Sequence, residues 1–390
     1  MKLYNSYSKT KETFATIKDK NVSIYVCGIT PYDTTHLGHA FTYISFDALI
    51  RFLKFKGYKI NYVQNVTDID DDILRRAKKE DRDWRELGNY WTQQFLTDLK
   101  FLNVLLPDHY VKATDSIDKI AEIVKDLVKK RVAYEREGNV YFNINTFKKY
   151  GRLSKYTRQQ MITLSKERGA DPNDPLKKDP LDFILWQAKK EGEPYWKSPW
   201  GDGRPGWHIE CSAMINKYLG DSIDIHGGGK DLIYPHHESE IAQSESYTHK
   251  SPFVKYWMHT SMVIYEGEKM SKSLGNMIMI SDLSKRYSAN EIRFMLLSNH
   301  YRKPWEFDYS YLDNARIRLQ EIEKALNDNL IKSKNNINFD EFELALNDDL
   351  DTPRALDFMC RAATMINENR GSREDRKQLK MCLRILGFKL

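Results

Sequence analysis

An apolar run that closes on a glycine constrains this chain more than any other feature. Val22-Ser23-Ile24-Tyr25-Val26-Cys27 reads as a buried strand ending at Gly28. A turn containing Pro31 and Asp33 follows, and a helix is expected from Leu37 to about Lys56. Gly57-Tyr58 breaks it, and Lys59-Ile60-Asn61-Tyr62-Val63-Gln64-Asn65-Val66 reads as a second strand. A strand–helix–strand unit of this kind opens an α/β fold with a doubly wound, Rossmann-like parallel sheet. Ligands of such sheets bind outside the carboxyl ends of the strands. The crevice should therefore be lined by Cys27, Gly28 and Thr30 from the first strand and by Asn65, Val66 and Thr67 from the second.

The length calls for more than one domain. Residues 1–285 read as one α/β unit, with an insertion at about 69–165 that is helical and then short-stranded. Lys166 to Trp207 is rich in Pro, Gly and Trp and reads as ordered loops. Ser222-Ile223-Asp224-Ile225-His226 is a further strand running into Gly227-Gly228-Gly229, and His236 to Tyr247 a helix. Ser261 to Tyr265 is a strand. Residues 286–390 carry Leu, Ile, Phe and Ala at three- and four-residue spacing and read as a separate C-terminal helical bundle.

No apolar run is long enough to span a membrane. The opening Met1-Lys2-Leu3-Tyr4-Asn5-Ser6 has no signal region, so a cytoplasmic monomer is expected. The net charge of +6 permits an anionic partner without demanding one. Four cysteines, Cys27, Cys211, Cys360 and Cys382, are too few for a disulfide scaffold.

Two short motifs lie far apart: His36-Leu37-Gly38-His39 and Lys269-Met270-Ser271-Lys272-Ser273. An enzyme that forms an adenylate and expels pyrophosphate needs donors for the triphosphate and mobile cations for the leaving group. Taken singly, the first is also an ordinary capped helix and the second an ordinary solvated loop. In this order and at this separation they resemble the signature pair of class I aminoacyl-tRNA synthetases. That resemblance implies His36, His39, Lys269 and Lys272 as catalytic residues acting on ATP with Mg2+.

His236 and Glu240, four residues apart, share one face of a helix. With Cys27 and Cys211 they make a four-ligand set suited to zinc, although histidines and a glutamate at this spacing also occur as surface groups. The segments 203–211, 225–231 and 235–238 resemble the cysteinyl-tRNA synthetase family. There the metal takes the substrate's thiolate directly, which implies Zn2+ on Cys27, Cys211, His236 and Glu240. Zinc binds thiolate strongly, whereas an alcohol is a poor ligand at neutral pH, so serine could be rejected without editing.

The same resemblance implies that Thr67 and Trp207 hold the amino group and flank of L-cysteine. Thr30, His36, His39, Gly229 and Asp231 would contact the adenylate. Gly28, Ile29, Thr42, Asn65, Val66, His208, Lys230 and Val263 complete the implied substrate and ATP set.

The acceptor is less uniform. The run from Cys27 to His39, Glu167-Arg168-Gly169-Ala170-Asp171-Pro172, Lys178 to Asp182 and His300 to Glu306 resemble mycothiol ligase, a relative that joins cysteine to the amine of a glucosaminyl-inositol. His226 and Glu240 to Glu245 look more like the synthetase. No basic stripe with interleaved aromatics is visible, and no anticodon-binding module is expected after the helical tail. A small amine is therefore the expected acceptor, with tRNA the alternative and a non-catalytic cysteine-binding relative the third reading.

Overall fold

The computed structural model describes residues 1–33, 35–270, 274–327 and 337–389. Among these, five strands form a parallel sheet in the order Val254–Thr260, Ile223–Gly229, Asn21–Ile29, Lys59–Val66, His109–Lys112. The winding reverses between Asn21–Ile29 and Ile223–Gly229, which makes their carboxyl ends the switch point of a doubly wound sheet. The two strands expected first are both present, and the helix between them spans Leu37–Phe55. His36 caps that helix, its Nδ1 accepting the His39 N–H at 3.3 Å. Gly57, at φ +83°, ends it in a left-handed turn that few other residues adopt cheaply.

The helix Leu37–Phe55 covers one face, sharing a core with Ile24, Val26, Ile225 and Met258. The helix Trp207–Tyr218 covers the other, packed with Tyr25, Cys27, Val63 and Ile223. Side chains alternate along a strand, so Cys27 faces the second layer with Tyr25.

Part of the stretch expected as an insertion, 69–165, joins the central sheet. His109–Lys112 is an edge strand of the central sheet, paired with Lys59–Val66. A four-stranded antiparallel sheet instead joins Ala133–Arg136, Asn139–Phe142, Phe183–Ala188 and Gly203–Pro205. Two of its strands lie in the stretch read as loops, where Pro and Gly mask strands too short to show alternation. Leu127 and Val124 of the helix Ile117–Lys129 pack on this sheet with Val140, Phe142 and Leu185.

The C-terminal helices are Ala289–Leu297, Ser310–Asn327, Asp340–Asn347, Thr352–Asn367 and Arg373–Ile385. They are not walled off from the sheet. One apolar core runs from Ile24 through Ile292 to Leu356 and Leu383. The buried Arg293 guanidinium pairs with Asp47 of the first long helix, and Trp305–Glu306 lies parallel to Val263–Tyr265. No helix among the described residues is long and apolar enough to cross a membrane.

Candidate active site

The register between Asn21–Ile29 and Lys59–Val66 slips at the switch point. Val26 lies opposite Gln64 and Ile29 opposite Val66, so Cys27 and Gly28 together face Asn65. Such a bulge re-aims side chains at a strand end. Only glycine fits at position 28: a Cβ there would lie 1.5 Å from the Asn65 carbonyl oxygen. The Gly28 N–H donates instead to Asn65 Oδ1 at 2.8 Å.

A cavity of about 700 Å3 opens over these strand ends. Cys27, Gly28, Ile29, Thr30, Asn65 and Thr67 form its floor, and His36, His39 and Thr42 come from the start of the long helix. Trp207, Cys211 and His236 stand on one side; Gly229, Asp231 and Val263 line it as well. The structure thus gathers fifteen expected site residues around one space.

The others lie elsewhere. Val66 is fully buried in the apolar core, as strand alternation requires of a residue between Asn65 and Thr67. His208 lines a second cavity behind Trp207, and its Nδ1 is 3.1 Å from His236 Nδ1. Lys230 is exposed beyond the cavity wall, and Glu240 is buried behind His236. The Lys269 backbone pairs with Ile264 in a hairpin; its side chain and the whole of Lys272 lie outside the described residues.

The His36 and His39 rings stack with centroids 3.6 Å apart. Gly38 permits this, since a Cβ there would come within 3.0 Å of the His36 ring. Opposite them, Thr42 Oγ1 and Thr260 Oγ1 are 2.7 Å apart, which ties the helix to the last parallel strand.

The donor atoms of Cys27, Cys211, His236 and Glu240 all lie within 4.8 Å of one another, and all four residues are buried. Cys27 Sγ is 4.0 Å from Cys211 Sγ, and His236 Nε2 is 3.4 Å from Cys211 Sγ. His236 Nε2 is also 3.1 Å from Glu240 Oε1, a buried oxygen that makes no hydrogen bond. With bonds of about 2.0–2.3 Å, the donors of tetrahedral zinc stand about 3.3–3.8 Å apart. The residues fit that ion. The regular helix here begins only at Glu238, after an irregular turn over Ile233–His237, yet the four-residue spacing still brings His236 to Glu240.

Electrostatics favour the neutral forms of these imidazoles, of Cys27 and of Glu240. Burial holds His208 and His226 down to about 3, and it lowers His236 and His237 as well, with neighbouring imidazoles adding to it. Burial likewise pushes the Cys27 thiol and the Glu240 carboxyl up. A divalent cation reverses that preference for thiol and carboxyl, and it requires imidazole to be neutral already.

Sequence reasoning missed the histidines beneath this set. His237 Nε2 is 3.3 Å from Cys27 Sγ, His226 Nε2 is 2.9 Å from Glu240 Oε2, and His259 Nε2 is 2.8 Å from His237 Nδ1. The doublet His236-His237 was the available signal; His226 and His259, on separate parallel strands, gave none.

Residues 13–317 match the family model described as the tRNA synthetases class I (C) catalytic domain. The chain is 44% identical over 392 residues to the cysteine–tRNA ligase of Thermodesulfovibrio yellowstonii, covering 94% of this chain and 79% of the relative. It is 42% identical over 391 residues to that of Methanococcus maripaludis, covering 94% and 80%. Among solved structures, it shares its fold with Mycobacterium tuberculosis methionyl-tRNA synthetase in complex with methionyl-adenylate, at TM-score 0.64 and 15% identity, covering 94% of this chain and 88% of that one. The LeuRS of Agrobacterium radiobacter K84, in a ternary complex with tRNA and LeuAMS, gives TM-score 0.67 and 12% identity, covering 94% and 83%. Likeness in sequence along almost all of the chain, and likeness in fold where sequence has diverged, lead to one assignment: the chain belongs to the cysteine–tRNA ligase family of class I tRNA synthetases.

Proposed function

We propose that this enzyme activates L-cysteine with ATP and transfers it to tRNA. As a member of its family it is an ATP-dependent ligase that forms an aminoacyl-adenylate. The observation that carries the acceptor is identity of 42–44% to cysteine–tRNA ligases along 94% of the chain. That likeness outweighs the resemblance of 167–172 and 300–306 to mycothiol ligase, and the small amine is replaced by tRNA as the acceptor.

In the first step a cysteine carboxylate oxygen would attack the α-phosphorus of ATP, the bond to the α–β bridging oxygen would break, and pyrophosphate would leave; Mg2+ carried by ATP would offset its charge. Thr30, His36, His39, Gly229 and Asp231 would hold the nucleotide. Lys269 and Lys272 would stabilise charge developing on the leaving group. Thr67 would hold the substrate's amino group. The Trp207 indole would flank it, and that ring stacks on His236 with centroids 4.4 Å apart, which couples amino-acid pocket to donor set. Cys27, Cys211, His236 and Glu240 would hold Zn2+, which when bound supplies a site for the substrate thiolate that an alcohol fills poorly. In the second step a terminal ribose hydroxyl of tRNA attacks the adenylate carbonyl carbon, and AMP departs.

The test is aminoacylation by the purified chain. Cysteine should appear on tRNA with a yield that falls steeply as salt rises, because the phosphate contacts release counterions, while adenylate formation changes little. AMP release driven by an amino sugar, with tRNA left uncharged, would overturn the assignment of the acceptor.

A further inference from the structure

Behind Trp207 lies a second cavity of about 250 Å3, and that residue lines both spaces. Arg168, Gly169 and Ala170 line it too, from a segment with no part in the chemistry given above for the metal or the thiol. Most polar groups around it already have partners. Asp174 accepts the Tyr141 hydroxyl at 2.7 Å, and Asp182 accepts the Tyr134 hydroxyl at 2.7 Å. The Arg204 guanidinium pairs with Asp71 and with Glu193.

Glu210 is the exception. It lines the second cavity and is only 1% exposed, and its Oε2 meets no hydrogen-bond partner among the described residues. A buried acceptor left bare is costly, so a donor that arrives with a ligand is the economical explanation. The rest of the lining narrows the ligand. Tyr141, Tyr150, Phe183 and Trp207 give it aromatic walls, with the Tyr150 and Phe183 rings only 18° from parallel. Arg168 and Lys177 add positive charge, which repels a simple ammonium and suits a group flanked by phosphates. Flat walls, one deep acceptor and cations together fit a nucleobase with an exocyclic amine, splayed from a single strand.

We propose that the second cavity receives the penultimate base of the tRNA acceptor end, a cytosine, whose N4 amino group donates to Glu210. A carboxylate is the matching acceptor for that amine. The terminal adenosine carries the reacting hydroxyl and must enter the large cavity. The base one nucleotide before it then lies next door, across Trp207. Seating that base holds the terminal ribose against the adenylate, so Glu210 is a positioning residue that touches no reacting atom. This inference rests on the tRNA reading given above.

The test uses the full-length chain with ATP, cysteine and two tRNA transcripts that differ only in a penultimate C or U. Uracil presents a carbonyl oxygen where cytosine presents its amine. Wild-type enzyme should favour C over U by about tenfold or more in kcat/KM, the scale of one hydrogen bond to a buried charged group. Glu210→Gln can turn its amide to accept from N4 or donate to O4, so the preference should shrink to about threefold or less. The ratio cancels any loss of folding or of adenylate formation common to both tRNAs. A Glu210→Gln ratio equal to wild type would mark the residue as structural and overturn the proposal. Should that variant fail to fold, Ala170→Trp decides, because it fills the cavity from a loop remote from the metal donors. It should abolish the preference likewise, and a preserved preference counts against the site. Wild-type enzyme separates the two readings. Charging both tRNAs equally removes this inference alone, whereas forming cysteinyl-adenylate and charging neither removes the tRNA reading with it.

Discussion

The Tyr301 hydroxyl donates to Asp349 Oδ1 at 2.6 Å, while the carbonyl of the same tyrosine accepts the N–H of Ser261 at 2.7 Å. Ser261 lines the large cavity, and Asp349 sits fully buried between the helices Asp340–Asn347 and Thr352–Asn367. One residue therefore connects the C-terminal helices to the cavity wall. Asp349 also accepts the N–H of Tyr4 at 2.8 Å and pairs with Arg302. Asp349→Asn should lower stability by about 2–3 kcal/mol, the usual scale for hydrogen bonds to a buried charge. Denaturant titration would measure that loss. Stopped below the unfolding midpoint, the same variant should show a raised KM for ATP with cysteine KM little changed.

Gly28→Ala tests the bulge. The added methyl would meet the Asn65 carbonyl oxygen, and backbone cannot rotate aside as a side chain can. Overpacking usually costs about 1–3 kcal/mol, and a clash with backbone belongs at or beyond the upper end. The variant should melt lower and lose metal together with cysteine activation, because Cys27 is the next residue. A melting temperature equal to wild type would show that the two strands can part without cost.

Lys269→Ala and Lys272→Ala should slow adenylate formation by about 2–4 kcal/mol of barrier, as other stabilisers of developing charge do. Cysteine binding should hardly change, since these interactions are made with pyrophosphate in the transition state. Pyrophosphate exchange set beside equilibrium binding of cysteine separates the two effects. Equal losses in both would mark the lysines as structural.

Glu291 gives a pH dependence. Burial tends to raise its carboxyl, but the Ser288 N–H and the Arg316 guanidinium outweigh that and hold it below the ordinary 4.5. A depressed carboxyl stabilises the fold fully above the ordinary value and loses that contribution as pH falls through the folded one. Glu291→Gln keeps the capping geometry and removes the charge. It should therefore be less stable than wild type by about 0.5–1 kcal/mol at pH 7, with the gap closing below about pH 4. Thermal unfolding across that range would read it, and a gap that stays constant would show that the charge is not the source.

The first strand, the long helix and the second strand were legible because each is long enough to display its own period. The cavity floor followed from them, since Cys27, Asn65 and Thr67 stand at strand ends that a doubly wound sheet must bring together. The Val66 side chain lies in the core and not in the cavity, because alternation turns it away from the side that Asn65 and Thr67 present. Short strands were expected in the insertion, but their pairing with Phe183–Ala188 and Gly203–Pro205 was not, because those two lie in a Pro- and Gly-rich stretch that reads as loops. His226 and His259 lie on neighbouring parallel strands, a placement that depends on register and not on spacing. The acceptor was read from short motifs in turns, where resemblance is cheap, against the weight of the whole chain.

The separation of the metal donors along the chain has a consequence for biosynthesis. Cys27 and Cys211 are 184 residues apart, and the whole antiparallel sheet must be made between them. A chain emerges from the ribosome N-terminus first. Cys27 therefore waits as a lone thiol, open to oxidation, until its partners arrive. The set Cys27, Cys211, His236 and Glu240 is not complete before Glu240 has emerged. A metal held there would bind late, when most of the catalytic unit already exists.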